Sequence, residues 1–250
     1  MKLGAQFYSI NDKTKTPEGI YQSFQAMKDI GYSVVQMSAI GPIEPERLRD
    51  ISLEFSLPIT CTHTNPALVL EETDRVIKEH KIYNCPVVGI GSMPKEYKGS
   101  VEGIKKFIKD FSTPAKKIRE AGLRFAYHNH AFEFEDLGGT NAYEMLIEEF
   151  SDLDFILDTY WVKYSGNDYL SYIKRIGAER MQNVHFKDMK DEPRGNIVPC
   201  GVGVIDFKPV IELCDKLGIE NALVEQDNAP QSGDSYGQMK ISYENLKDLF

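Results

Sequence analysis

The stretch Arg124-Phe-Ala-Tyr-His-Asn-His-Ala-Phe-Glu-Phe-Glu135 decides how the rest of the sequence is interpreted. It follows Gly122, begins as an apolar run typical of a β-strand, and ends in two histidines and two carboxylates. Side chains alternate between the faces of a strand, so a strand through this stretch places His128 and His130 on one face. Two imidazoles on one face are costly to bury without hydrogen bonds or a metal ion. The stretch therefore predicts one wall of a metal site, which in a parallel barrel would lie at the carboxyl ends of the strands.

Similar units extend in both directions from this stretch. Strands are predicted at residues 3–10, 33–37, 58–63, 86–90, 123–128, 153–158, 181–186 and 221–225. Helices are predicted at about 17–30, 45–55, 68–83, 100–121, 140–150, 167–176, 205–217 and 235–249. Pro114 is expected to break or kink the helix that contains it. Eight alternating strand and helix units predict one α/β domain over residues 1–250, a (β/α)₈ TIM barrel. The alternative is an open doubly wound sheet, but the first turn, Ile10–Thr16, lacks the glycine-rich pattern of a dinucleotide site.

Composition excludes several classes of protein. The net charge of −9 over 250 residues argues against a nucleic-acid partner, which needs a basic surface. The N-terminal apolar run is too short for a secretory signal, and no run is long enough for a membrane span. We therefore expect a cytoplasmic protein with no membrane partner. The 4 cysteines show no CxxC spacing, so neither a zinc ribbon nor a redox pair is indicated.

Polar residues recur where the predicted strands end. His128, Asp158, His185 and Glu225 fall on strands five to eight. Taken alone, Asp158 is explained equally by capping the following helix. Glu225 is harder to explain in that way, because an unpaired charge in the mouth of a barrel is expensive. Only His80 lies within a charged helical run, and we expect it to be a solvated surface residue.

Two imidazoles and two carboxylates on adjacent strands form a candidate ligand set for one divalent metal ion. Such ligands suit Zn, Mn or Co, and the sequence does not choose among them.

Five runs resemble the sugar phosphate isomerase/epimerase family of xylose-isomerase-like TIM barrels, which is related to ketose 3-epimerases, hydroxypyruvate isomerase, inosose dehydratase and endonuclease IV. They are Tyr127–Phe134, Leu157–Trp161, Asn183–Asp188, Gly201–Asp206 and Leu223–Asp227. The resemblance implies that Asp158, His185 and Glu225 hold a metal ion. The endonuclease branch is excluded, because it needs more metal ligands and a DNA-binding surface, and this chain lacks both.

The chain departs from the epimerase pattern at two positions. Epimerases of this kind have a glutamate where this chain has His128, and their two glutamates also move protons. His128 can still be a metal ligand. Glu133 is a further carboxylate in the same stretch, and the sequence does not fix the direction of its side chain. The second departure is Trp161, which stands where a substrate-binding histidine is usual. It is predicted either as a platform for a sugar ring or as a packing residue.

The resemblance also implies a chemistry. A metal ion that binds vicinal carbonyl and hydroxyl oxygens makes the neighbouring C–H acidic by stabilising an enediolate. Glu225 and His130 are the candidate bases. Lys187 shares the parity of His185 and is predicted to face the lumen, as a catalytic or substrate-binding group. His63 is the predicted substrate contact from the first half of the chain.

Arg194, a predicted substrate contact, lies in the stretch 188–204, which is long for a loop in this fold and is predicted to act as a lid.

Three functions follow as hypotheses. The first is a metal-dependent isomerase or epimerase acting on a small-molecule carbohydrate through an enediolate. The second keeps the metal ion but eliminates water, as inosose dehydratase does. The third is a sugar-binding barrel without catalysis, which the histidine at position 128 keeps open. A homodimer paired through the outer helices is a further expectation that the sequence does not establish.

Overall fold

Eight parallel strands form the centre of the molecule in a computed structural model that describes all 250 residues. They are β1 (Lys2–Gln6), β2 (Val34–Ser38), β3 (Ile59–His63), β4 (Val87–Ile90), β5 (Arg124–His128), β6 (Asp154–Asp158), β7 (Asn183–Phe186) and β10 (Asn221–Val224). A separate antiparallel hairpin consists of β8 (Asp188–Lys190) and β9 (Asn196–Val198). The hairpin occupies most of the stretch that was predicted as a loop.

The strands are arranged as a nearly closed ring. Their order is β3-β2-β1-β10-β7-β6-β5-β4, and every neighbouring pair in it is parallel. The two end strands also meet, since the Thr64 N–H just after β3 donates to the Gly89 carbonyl of β4 at 2.7 Å. The predicted single-domain (β/α)₈ TIM barrel is confirmed.

Ten helices surround the barrel. They are α1 (Pro17–Ile30), α2 (Pro45–Glu54), α3 (Pro66–Glu71), α4 (Thr73–Ile82), α5 (Val101–Glu120), α6 (Ala142–Glu149), α7 (Thr159–Tyr164), α8 (Tyr169–Ile176), α9 (Phe207–Leu217) and α10 (Ser235–Leu246). Proline begins the first three of these helices, where its missing N–H costs nothing. No helix is both long and apolar enough to cross a membrane.

The structure differs from two local predictions about helices. Helix α5 continues through Pro114, so of the break or kink expected there, the break does not occur. The reason is tertiary: Phe111, Ala115 and Ile118 are fully buried on the same helix, and this packing outweighs one lost backbone hydrogen bond. The predicted helix at 68–83 is divided into α3 and α4 at Glu72.

The first strand is shorter than predicted because its last side chain begins a turn. The Tyr8 N–H donates to Gln6 Oε1 at 2.9 Å, and Phe7–Ile10 form a 3₁₀ helix. This local hydrogen bond replaces the sheet ladder that would otherwise continue.

His80 is buried, so its predicted place on the solvated surface is wrong. Its Nε2 lies 2.9 Å from Thr62 Oγ1, and its Nδ1 lies 2.8 Å from the Val76 carbonyl oxygen. Burial lowers the pKa of His80 to about 4, so the imidazole is neutral at pH 7. The charged residues beside it in the sequence lie on other faces of α4, which a charge count along the chain does not distinguish.

Candidate metal centre

Four side chains from four neighbouring strands converge at the carboxyl end of the barrel. His128 ends β5, Asp158 ends β6, His185 lies in β7 and Glu225 directly follows β10. One nitrogen or oxygen atom from each of them lies within 4.8 Å of the others, and all four residues are buried. The structure therefore brings together the four residues predicted as metal ligands.

Asp158 has two roles that the sequence presented as alternatives. Its Oδ1 accepts a hydrogen bond from the Trp161 N–H at 3.1 Å and so caps α7. Its Oδ2 faces His128 Nε2 at 3.3 Å. The carboxylate therefore begins a helix with one oxygen and lines the cluster with the other.

The ring of His128 is oriented by a backbone carbonyl. Its Nδ1 lies 3.1 Å from the Gly91 carbonyl oxygen, which can only accept, so Nδ1 carries the hydrogen. The lone pair on Nε2 is then directed towards Asp158 and Glu225, whose nearest oxygens lie 3.3 and 3.7 Å away. Burial, and next the neighbouring His185, lower the pKa of His128 to about 3, so the ring is neutral at pH 7.

The ring of His185 is oriented by a glutamine from the opposite half of the chain. Its Nε2 donates to Gln36 Oε1 at 2.6 Å, which leaves the lone pair on Nδ1. That nitrogen lies 3.0 Å from Glu225 Oε2. Histidines that bind metal ions commonly donate their outer N–H to such an acceptor, which fixes the tautomer.

The cluster therefore has the donor chemistry of a site for a divalent ion. Each imidazole turns a lone pair towards a carboxylate oxygen, an arrangement that is repulsive without a cation between the two acceptors. Two imidazoles and two carboxylates suit Zn, Mn or Co. The residues present fit the predicted ion, whose identity stays open.

Lys187 places a positive charge beside this cluster. Its Nζ lies 3.6 Å from Glu225 Oε2, 3.8 Å from Asp158 Oδ2 and 2.6 Å from Asp227 Oδ2. Burial favours the neutral amine, but these three carboxylates outweigh burial and raise the pKa of Lys187. The residue is an ammonium at pH 7, and it faces the lumen as its parity predicted.

The carboxylates around Lys187 differ in their readiness to ionise. Burial, and next the negative charge of Glu225, raise the pKa of Asp227 to about 6. At Glu225 burial acts in that direction too, but the ammonium of Lys187 outweighs it and holds the pKa of Glu225 well below its usual range. Glu225 is therefore the firmly ionised member of the group.

His130 stands next to the cluster, although it does not share a strand with His128. Strand β5 ends at His128, and the two rings lie 5.0 Å apart with nearly perpendicular planes. The Nδ1 atom of His130 is buried and has no hydrogen-bond partner. Burial, and next His128, lower the pKa of His130 to about 3, so this imidazole is also neutral at pH 7.

Glu133 holds the turn that carries His130 and is not part of the cluster. Its Oε2 accepts from the His130 backbone N–H at 2.8 Å, and its Oε1 accepts from the Tyr127 hydroxyl at 2.5 Å. Glu133 is fully buried and is not part of the cavity wall. The side chain of Glu133 thus stabilises the turn that carries His130.

A cavity of about 440 Å³ opens above these groups. Its wall includes His63, His128, His130, Lys187, Glu225 and Asp227. The ring of His63 lies 5.0 Å from the ring of His128, and its Nε2 is buried without a partner. His63 thus lies where a contact with substrate was predicted, and that role stays a prediction.

The structure places two other predicted substrate contacts outside this cavity wall. Trp161 is half-buried and absent from that wall, with its ring 5.2 Å from that of His130 and 4.8 Å from Lys187 Nζ. Both roles predicted for Trp161 stay predictions. Arg194 is exposed on the β8–β9 connection and donates to the Tyr164 carbonyl at 2.8 Å. Nothing in this geometry supports the substrate role predicted for it.

A family model described as "Xylose isomerase-like TIM barrel" matches residues 24–240. The chain belongs to the xylose isomerase-like TIM-barrel family. The match includes all four cluster residues and confirms the family that the five sequence runs resemble.

Several relatives of this xylose isomerase-like barrel are known. An inosose dehydratase of Geobacillus thermodenitrificans (strain NG80-2) is 31% identical over 131 residues, which are 44% of this chain and 43% of that one. The chain thus matches less than half of that relative. A solved sugar phosphate isomerase/epimerase from Parabacteroides distasonis ATCC 8503 has a TM-score of 0.82 at 20% identity, covering 99% of this chain and 98% of that one. A solved L-ribulose 3-epimerase has a TM-score of 0.75 at 14% identity, covering 99% and 94%. These two structures show a shared fold.

Sequence reasoning missed two residues of this xylose isomerase-like site. Asp227 lies two residues after Glu225, and the period of two along a strand is the signal that predicts a shared face. Gln36 is a polar residue in the middle of the apolar strand β2. A buried amide in such a strand needs a partner, but no local pattern names His185 as that partner.

Proposed function

We propose that the chain is a metal-dependent isomerase that removes and returns a proton beside the carbonyl group of a sugar or a sugar-derived keto compound. The observation that carries this proposal is the cavity in which the His128, Asp158, His185 and Glu225 cluster meets an unpaired imidazole and a buried ammonium. A divalent ion held there would supply Lewis acidity towards a carbonyl oxygen of the substrate.

His130 is the base in this proposal. It lines the cavity and its Nδ1 has no hydrogen-bond partner to displace. Burial keeps the imidazole unprotonated at pH 7, as a group that accepts a proton must be. The hydrogen bond from the His130 backbone to Glu133 holds the turn in place while the side chain receives the proton.

Lys187 is the group that stabilises negative charge on a substrate oxygen. Its ammonium is held in position by Asp227 at 2.6 Å and is buried, so water does not weaken its field. It also lines the cavity, where an oxygen of the substrate can approach it. Because the neighbouring carboxylates keep it charged, Lys187 donates a hydrogen bond and is not a second base.

One base favours isomerisation over two-base epimerisation. Epimerisation by the pair of glutamates that the resemblance implies needs a carboxylate where this chain has His128. Isomerisation needs a single base that takes a proton from one carbon and returns it to the next. His130 can meet that requirement without a second glutamate.

Dehydration is the second candidate, and one observation favours it. The site combines a neutral imidazole with an ammonium, and an elimination needs a base to remove the proton and an acid to assist the departing hydroxyl. The matched Geobacillus relative is named an inosose dehydratase. The same residues serve both reactions, so the product must decide between them.

The test is a proton-exchange assay in deuterium oxide with metal-replete protein and a panel of ketoses, aldoses and inososes. Nuclear magnetic resonance detects deuterium in recovered substrate and in isomers, and ultraviolet absorbance detects an enone or diketone. Isomerase activity gives deuterated isomers, and dehydratase activity gives the absorbing product. His130→Gln should abolish either signal, whereas His80→Gln, a buried histidine outside the cavity, should retain it. Tight binding of a sugar with no exchange would refute the proposal in favour of a binding protein.

A further inference from the structure

A second, larger cavity, called the chamber below, adjoins the metal-centre cavity. This chamber has a volume of about 720 Å³ and lies between the loop that follows β2 and the segments that follow β3. The two spaces share part of their walls, namely Ser38, Ala39, His63, Thr64 and Asn65. Each volume falls within the range of about 300–1,000 Å³ usual for small-molecule sites. A ligand seated at the metal cluster can therefore extend past His63 into the chamber.

The chamber is lined by both apolar side chains and hydroxyl groups. The apolar residues include Ile40, Ile43, Leu48 and Leu68. The hydroxyl oxygens of Thr62 and Thr64, which are also in the lining, lie 2.9 Å apart, and Ser38 Oγ lies 3.4 Å from His63 Nδ1. A sugar ring has the matching surface, because its C–H face is apolar while its hydroxyl edge forms hydrogen bonds.

No free positive charge faces the chamber. Arg75 is the only cationic residue in its wall. The guanidinium donates to Glu72 Oε2 at 2.9 Å and to Glu79 Oε1 at 2.8 Å, so both of its sides are already neutralised. A phosphate or carboxylate group would find no unpaired partner there. The chamber therefore suits an uncharged group.

The loop that follows β2 and lines the chamber is held in place by hydrogen bonds to the segment before α1. The Gly41 N–H donates to the Thr14 carbonyl at 2.7 Å, and Lys15 Nζ donates to the Ala39 carbonyl at 3.1 Å. A Cβ atom at Gly41 would lie 2.1 Å from the Lys15 carbonyl oxygen, so only glycine allows this close contact. The chamber thus exists before a ligand binds, which reduces the entropic cost of binding.

We propose that the substrate is a keto sugar carrying an uncharged glycosyl group. The reacting unit occupies the metal-centre cavity, and the second ring lies in the chamber between Leu68 and the hydroxyls of Thr62 and Thr64. This inference rests on the proposed function for the reacting unit, while the second ring is argued from the chamber alone.

The test compares D-fructose with disaccharides that keep a reducing fructose end, namely turanose, maltulose, leucrose and isomaltulose. Calorimetric titration of metal-replete protein should give at least one disaccharide a Kd about 10-fold lower than that of fructose. Leu68→Trp fills the chamber and should abolish this difference while the Kd of fructose stays unchanged. Leu70→Trp is the matched control, because Leu70 lies on the same helix and outside the chamber wall. Ile43→Trp fills the chamber from another element if the first variant is unstable.

The outcomes separate this inference from the proposed function. If no disaccharide binds more tightly than fructose, or if both filling variants keep the difference, the second-ring site is refuted. If monosaccharides still exchange protons with the solvent in that case, the proposed isomerase function is retained and only the second-ring site is refuted. A disaccharide preference that both filling variants remove, with no proton exchange in any sugar, supports the chamber and refutes the isomerase.

Discussion

Replacing Gln36 by methionine should weaken metal binding although Gln36 is not a ligand. In the native protein, Gln36 Oε1 accepts the Nε2 hydrogen of His185 at 2.6 Å and so keeps the Nδ1 lone pair free for a metal ion. Methionine fills similar volume but cannot accept this hydrogen bond with comparable strength. The imidazole would then move its hydrogen to Nδ1, which lies 3.0 Å from Glu225 Oε2. A metal ion would have to displace that hydrogen before it could bind.

The expected loss follows from the cost of the lost hydrogen bond. A buried N–H without a partner costs about 1–3 kcal/mol, and this cost favours the other tautomer of His185. Loss of the outer partner of a ligating histidine typically weakens metal affinity by about 10–100-fold. This factor corresponds to about 1.4–2.8 kcal/mol of binding free energy. Gln36 is fully buried, so water cannot take its place as acceptor.

The assay is competition for Zn²⁺ or Mn²⁺ against a chromophoric chelator at pH 7, with thermal denaturation of the apo-proteins as a check on folding. Gln6→Met is the matched control. Gln6 is the register partner of Gln36 on the neighbouring strand and is equally buried, but its hydrogen bonds go to Tyr8 and His63 and not to a cluster residue. Gln36→Met should lose about 10–100-fold in affinity, and Gln6→Met should lose less than about 3-fold. Equal affinities for Gln36→Met and the native protein would refute the tautomer argument.

Three further predictions concern stability. The pKa of His80 is about 4 in the folded protein, against an ordinary value of 6.5. Between these pH values the unfolded chain binds a proton that the folded chain excludes. The contribution of His80 to the free energy of unfolding is therefore complete above pH 6.5 and decreases towards pH 4. Urea denaturation should show His80→Gln losing less between these pH values, by about 3 kcal/mol, and parallel curves would contradict this. Asp188 accepts hydrogen bonds from four backbone N–H groups, those of Met189, Gly201, Gly203 and Ile205. Asp188→Ala should therefore lower the free energy of unfolding by about 3 kcal/mol. Asp191→Ala, at an exposed position, should change it by under about 0.5 kcal/mol. Removing bound metal with a chelator should lower the native Tm by roughly 5–10 °C when the ion was present at about 100 times its Kd, and Glu225→Ala should show no such change. An equal decrease in Glu225→Ala would place the metal ion elsewhere.

The barrel and most of its candidate metal centre could be predicted from the sequence because both depend on local patterns. Short apolar runs, each followed by a helix-like run, identify the eight strands without knowledge of any contact. Parallel strands in one ring end at the same side, so the polar residues at these ends, His128, Asp158, His185 and Glu225, are expected to meet. The shared parity of His185 and Lys187 likewise predicts that both face the lumen.

Only the tertiary structure decided which groups become partners. Gln36 and His185 are 149 positions apart and meet because the closed ring brings opposite strands across its centre. His80 belongs to a charged segment, yet its position on the helix turns it inward to Thr62. Arg194 lies within the stretch predicted as a lid over the site, but the β8–β9 hairpin directs it towards Tyr164. Strand and helix patterns depend on neighbours along the chain, whereas burial, tautomers and ion pairs depend on distances set by closure of the whole barrel.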